Sequence, residues 1–157
     1  MSQPPTDDKK VLARNKKAYH DYFVEDTIEA GVVLVGSEVK SLREGKLVIS
    51  DAYVTVKTGE AWLLNMQISE YPWANRWNHV PKRDRKLLMG KRQIEKMGES
   101  IVRSGYTALP LEVYLKKGRV KVLVGVCRGK KQHDKRQDSK DRDAKREIEA
   151  AMRRKSK

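Results

Sequence analysis

Cysteine is nearly absent from this sequence: Cys127 is the one thiol in 157 residues. An intramolecular disulfide is excluded, so packing and hydrogen bonds must hold the chain. Cys127 lies in the apolar run from Val122 and reads as a small buried residue, which suits a reducing cytosol. Long apolar runs are also missing, as are basic amphipathic stretches with bulky apolar anchors, so neither a membrane span nor a membrane-surface helix is expected. The first residues carry Pro4, Pro5, Asp7 and Asp8 and lack the apolar core of a secretory signal. Acidic residues are short as well, 21 Asp and Glu against 35 Lys and Arg, leaving a net charge of +14. A chain with that excess repels itself unless it meets an anion, and phosphate is the usual one. The length fits one domain plus a tail.

Catalytic signatures are scarce. The three histidines, His20, His79 and His133, are far apart, and no Ser or Cys nucleophile stands out near His20. Paired-cysteine metal motifs, a Walker loop and HExxH are all absent. The reading is of a protein that binds rather than one that makes or breaks bonds, with no cofactor and no metal.

What the sequence does contain is short, β-branched apolar runs. Residues 1–11 mix Pro, Asp and Lys and are expected to be disordered. Residues 12–128 form the body. Val32–Val35 and Tyr53–Val56 read as strands, with Thr58-Gly59 as a turn before a strand from Ala61 to Met66. Leu111, Val113 and Leu115 alternate with other residues, and so do Val120, Val122, Val124 and Val126 beyond Lys117-Gly118, which predicts a β-hairpin. Ser37 is placed to cap a helix over Glu38–Glu44 that Gly45 stops. Ile94, Met97 and Ile101 predict a second helix over Lys91–Ser104, closed by Gly105 and weakened by Gly98. These elements predict a mainly β domain, an OB-fold-like closed barrel with two or three attached helices. Closure removes sheet edges, although periodicity alone fits an SH3-like barrel equally.

From Gly129 to Lys157 the chain carries twelve positive and six negative side chains, with Ile148 and Met152 as its only sizeable apolar residues. Residues 129–157 cannot bury a core and are expected to be disordered alone. Helix formers dominate from Lys140. The pairs Asp138/Arg142, Asp141/Lys145 and Glu149/Arg153 each favour a helix by roughly 0.2–0.5 kcal/mol, so the tail is expected to become helical on an anionic partner.

Basic residues interleaved with aromatics mark candidate contacts. Asn15, Lys16 and Lys17 precede Tyr19, His20, Tyr22 and Phe23. Lysines suit phosphates and the rings suit unpaired bases, while a charged strand edge with aromatics partly in the core fits the same residues. Lys82, Arg83, Arg85 and Lys86, with Lys91 and Arg92, form a second cluster. It reads either as a solvated face or, given the overall charge, as a phosphate contact. Trp62 is expected in the core, whereas Trp73 and Trp77 fit a loop that touches RNA or simply packs. Glu29 is a carboxylate in basic surroundings. It makes sense there if it accepts from base edges or pairs with a Lys or Arg, and otherwise reads as a turn-flanking surface residue.

Several blocks in order, Asn15–Phe23, Glu29-Ala30-Gly31, Gly36–Arg43, Arg83–Leu88, Gly105-Tyr106-Thr107, Lys121-Val122 and Gly129–Arg136, resemble the SsrA-binding protein family, also called small protein B. The resemblance runs over nearly the whole chain from Asn15. It implies an OB-fold protein that binds the tRNA-like domain of transfer-messenger RNA; a cytoplasmic location and a monomer are expected. It also implies delivery of that RNA to bacterial ribosomes stalled on a message without a stop codon, for trans-translation and tagging of the peptide for degradation. The implied partners are transfer-messenger RNA, the small ribosomal subunit at its decoding centre and mRNA channel, and elongation factor Tu in the delivered complex. By the same resemblance Asn15, Lys16, Lys17, His20, Tyr22, Glu29, Lys40, Arg83, Lys86, Leu88, Lys130 and Lys131 would face RNA. His133, Asp134, Lys135, Arg136 and Met152 would serve the tail on the ribosome. Relatives often carry a third Leu and a polar residue after Leu88, where this chain has Met89 and Gly90. A generic nucleic-acid binder and a nuclease built on His20 are the rival readings.

Overall fold

A computed structural model describes residues 9–74, 78–130, 136, 140–148 and 150. Two short turns organise the sheet. Thr58 and Gly59 both have positive φ (52° and 74°), as do Lys117 and Gly118 (52° and 78°). Paired positive φ values match the twist of a two-residue hairpin. The first turn joins β4 (Tyr53–Lys57) to β5 (Glu60–Leu64), and the second joins β8 (Thr107–Lys116) to β9 (Arg119–Gly129).

The remaining strands extend these hairpins into a ring. β1 (Lys10–Arg14), β2 (Tyr22–Val32) and β7 (Arg85–Leu88) complete a seven-stranded antiparallel sheet, and β3 (Leu47–Val48) pairs with β6 (Gln67–Ile68) apart from it. From β8 the pairing runs through β4, β5, β7, β2 and β9 and returns to β8, so the sheet closes as expected. β1 lies beside β8 as an addition to that circuit. Alternate residues of each strand turn inward. Val54, Ala61, Leu63, Leu87, Val113, Val122 and Val124 fill the interior with Leu42, Met66 and Met97 from the helical and loop segments.

Three helices decorate the ring: α1 (Lys16–Asp21), α2 (Gly36–Arg43) and α3 (Lys91–Ser104). α3 fulfils the periodicity. It places Ile94 and Met97 inward and ends on Gly105 in the left-handed region (φ 66°). α1 departs from the strand edge that the sequence also allowed. Asn15 caps it by accepting from the Ala18 N–H at 3.0 Å, and Ala18 packs on Leu109, Leu111 and Cys127 outside the ring. Gly125 makes that packing possible, because a Cβ there would lie 2.6 Å from Leu111 Cδ1.

Other expectations shift. Of the strand predicted at Val32–Val35 only Val32 is in a strand, as the last residue of β2, which begins ten residues earlier at Tyr22; residues 33–35 lead into the next helix. Ser37 does not cap α2. The Glu38 carboxylate takes the Val35 N–H at 2.9 Å, and Ser37 bonds His79 Nδ1 at 2.9 Å. Trp62 is half-buried on the outward face of β5 rather than in the core, since Ala61 and Leu63 occupy the inward positions. Lys10 and Val11 belong to β1. At the other end Gly129 pairs with Tyr22, and the Lys130 N–H donates to Asp21 O at 2.8 Å. In the tail, residues 140–148 are helical and exposed, with Asp143 and Arg146 3.9 Å apart.

Candidate nucleic-acid interface

β2 and β9 run side by side from Tyr22↔Gly129 to Gly31↔Lys121, and some of the predicted contact residues lie near their two ends. At the first end α1 lifts Lys16, Lys17 and His20 into solvent. His20 Nδ1 lies 2.8 Å from Asp21 Oδ1, and Lys17 Nζ lies 3.5 Å from Asp51. Tyr22 is partly buried. Phe23 carries two cations, with Arg128 4.6 Å and Lys130 5.0 Å from its ring centre. Arg128 was missed in the sequence, where it reads only as the end of a strand. Asn15 is 2% exposed and spends its side chain on the backbone, accepting from Ala18 and donating to Pro110 O and Ile49 O. It builds this end without facing outward.

At the second end Glu29 stands on the outer face of the ring. The Tyr114 hydroxyl donates to its carboxylate, and Lys116 Nζ lies 3.4 Å away. Tyr114 occupies the position diagonal to Glu29 across β9, within reach of a long side chain. The bond from Tyr114 holds the Glu29 carboxyl below the usual range, and the charges of Lys116 and Lys121 add to it. Burial and that same bond push the Tyr114 hydroxyl up. Glu29 is thus an ionised, oriented acceptor among cations. Tyr114 escaped the sequence reading because it counted only as a residue alternating with the core valines. Beside this group the exposed Leu88 lies over Gly31, where a Cβ would come within 3.3 Å of it. Lys86 pairs with Glu60.

Arg83 turns elsewhere. Its Nη2 lies 2.6 Å from Glu38 Oε1, and Arg85 Nε donates to Oε2 at 2.6 Å. Glu38 and Arg85 are fully buried, and Arg85 also donates to Met66 O, Arg83 O and Pro81 O. Burial pushes the Glu38 carboxyl up. Bonds from Arg83 and the Val35 N–H outweigh it, together with the charge of Arg85, and leave the carboxyl below its usual range. The cluster of Lys82–Lys86 is therefore half structural, a strand with an internal ion pair. Lys40 is exposed on α2, 5.6 Å from the Tyr71 ring. Arg136 is exposed, while Lys131, His133, Asp134, Lys135, Met152 and Trp77 lie outside the described residues. Cys127 is fully buried, and burial raises its thiol to about 11. Among the described residues no three His, Cys, Asp or Glu side chains converge as metal ligands, and no helix is long and apolar enough to cross a membrane.

A closed β ring with clustered cations and an oriented carboxylate defines a class of basic, mainly β proteins. More narrowly, the chain belongs to the SmpB protein family, whose model matches residues 12–154. It is 52% identical over 147 residues to the SsrA-binding protein of Lysinibacillus sphaericus, covering 94% of this chain and 95% of that one. The SsrA-binding proteins of Bacillus cereus and Desulfitobacterium hafniense are each 51% identical over 144 residues. Those alignments cover 92% of this chain and 93% and 92% of the respective relatives. A solved structure described as "tmRNA-SmpB: a journey to the center of the bacterial ribosome" is similar at a TM-score of 0.65 and 37% identity, over 82% of this chain and 87% of that one.

Proposed function

We propose that this protein binds the tRNA-like domain of transfer-messenger RNA and carries it to stalled bacterial ribosomes for trans-translation. The body selects the RNA, and the tail from Lys131 follows the empty mRNA channel to the decoding centre. The protein works in the cytoplasm as a monomer, with elongation factor Tu a partner in the delivered complex, and does no bond chemistry itself. The observation that carries the reading is the Glu29 site. A carboxylate among Lys116 and Lys121 would repel a phosphate, yet Tyr114 and Lys116 fix it as an oriented acceptor. Such a group accepts from base or ribose donors, while the cations around it take the backbone. Relatives named SsrA-binding protein, and a similar structure of a tmRNA-SmpB assembly on the ribosome, support the identity of the RNA.

The test is binding to the tRNA-like domain and to ordinary tRNA at near-physiological salt, with Glu29→Ala alongside. A preference for the first RNA that the substitution weakens by about tenfold supports the reading. Equal binding of both RNAs, driven by salt alone, leaves a generic basic binder and ends the proposal.

A further inference from the structure

Trp73 is 79% exposed, the second most exposed large apolar side chain in the described chain after Val102. Its loop is anchored rather than loose at both flanks. Asn78 grips Tyr71 twice: its Oδ1 accepts from the Tyr71 N–H at 2.9 Å and its Nδ2 donates to Tyr71 O at 2.7 Å. The next residue, His79, is 6% exposed and donates from Nε2 to Ile68 O at 2.9 Å, with Ser37 Oγ 2.9 Å from Nδ1. The Ala74 N–H closes a turn on Tyr71 O at 3.0 Å, with Pro72 and Trp73 at its tip. Among the described residues little covers this indole, which the turn holds mostly in water. It costs solubility unless it is covered.

Cations lie near the turn: Lys40 is 5.6 Å from the Tyr71 ring and Lys82 at the loop's exit is exposed, with the exposed carboxylates Glu70 and Asp84 before and after the loop in sequence. On the same helix as Lys40, Val39 lines a cleft with Gly31, Leu88 and Lys121. From these observations we infer that Trp73 is a stacking platform for an unpaired base of the transfer-messenger RNA tRNA-like domain, with Lys40 on the adjoining phosphate. The inference rests on the proposed function and extends its site by one loop. A ring face stacks on any base, so the contact adds affinity rather than sequence preference.

The experiment uses the full chain with the tRNA-like domain as probe. Affinity is measured for Trp73→Ala and Trp73→Phe, and tryptophan fluorescence is followed on RNA addition to the wild type and to Trp73→Phe. Both variants should melt with the wild type, because the side chain is solvent-exposed. The expected result is about tenfold weaker binding for Trp73→Ala and near wild-type binding for Trp73→Phe. The wild type should show quenching that Trp73→Phe loses. Affinity of Trp73→Ala within twofold of wild type overturns the inference while leaving the proposed function standing. Intact RNA affinity with weakened association to stalled ribosomes assigns Trp73 to another surface and overturns it as well. A wild type that does not bind this RNA removes the proposed function, and the inference with it.

Discussion

Glu38 has no access to solvent and is held by Arg85, itself fully buried, and by Arg83. Removing one partner of such a group leaves a buried charge uncompensated. Arg85→Ala is expected to cost about 3–5 kcal/mol, read as a lower midpoint in urea, and Arg83→Ala less, because Arg83 is 31% exposed. The carboxyl is held lower in the folded chain than in the unfolded one. Its contribution is therefore fully present above the ordinary glutamate range and is lost as pH falls from there through the lower value of the folded chain. The urea midpoint should drop below about pH 4, more steeply in the wild type than in Glu38→Gln. This ion-paired trio was illegible in the sequence, where Arg83 and Arg85 look like members of a surface charge run. Glu29 was legible only as a carboxylate that a basic chain must pair or use as an acceptor. Its partner Tyr114 was not, because the diagonal of a sheet becomes visible only once register is known.

Among the elements, the hairpin of β8 and β9 and the helix α3 were readable. Each shows its period over a long run, and a glycine at positive φ marks the turn of the hairpin (Gly118) and the end of the helix (Gly105). α1 was not, having six residues and one buried side chain, Ala18. β2 was read only at its end, since Glu25, Asp26 and Thr27 are all exposed around an irregularity between Val24 and Asp26. β7 was hidden by its own charges. Two glycines in these elements predict opposite outcomes. Gly125→Ala brings a Cβ 2.6 Å from Leu111 Cδ1 and should destabilise by about 1–3 kcal/mol, loosening α1 from the ring. Gly98 faces Val56 with its nearest atom 3.7 Å from a Cβ, an ordinary contact. Gly98→Ala should therefore stabilise by about 0.5–1 kcal/mol, the helix propensity gained. Thermal melting of both variants decides; a Gly98→Ala protein that melts lower means α3 packs closer to β4 than this spacing allows.

For the molecule as a whole, the separation of body from tail makes a prediction. Gly129 and Lys130 are bonded to Tyr22 and Asp21, so a truncation that spares the ring begins at Lys131. That truncated protein is expected to keep its affinity for the tRNA-like domain within about threefold while peptide tagging in a reconstituted translation system stops. Loss of RNA binding would mean that the tail shares the work of selection. The closed ring was legible, from the number of short strands and the need to leave no open sheet edge.

The rigidity of β2 has a further consequence. Tyr22 and Glu29 lie on one strand, bonded to β9 through most of its length. Seven residues of extended chain set them roughly 20 Å apart, and neither can move without unzipping the ladder. An RNA that touches both ends is gripped as by a caliper locked at one opening. Once its first contact forms, a molecule with the matching span makes the second at little extra entropic cost. One with the wrong span keeps only a single foothold. Under the proposed function, discrimination among RNAs of similar charge would then draw on a length measured in strand residues as well as on the donors that Glu29 accepts from.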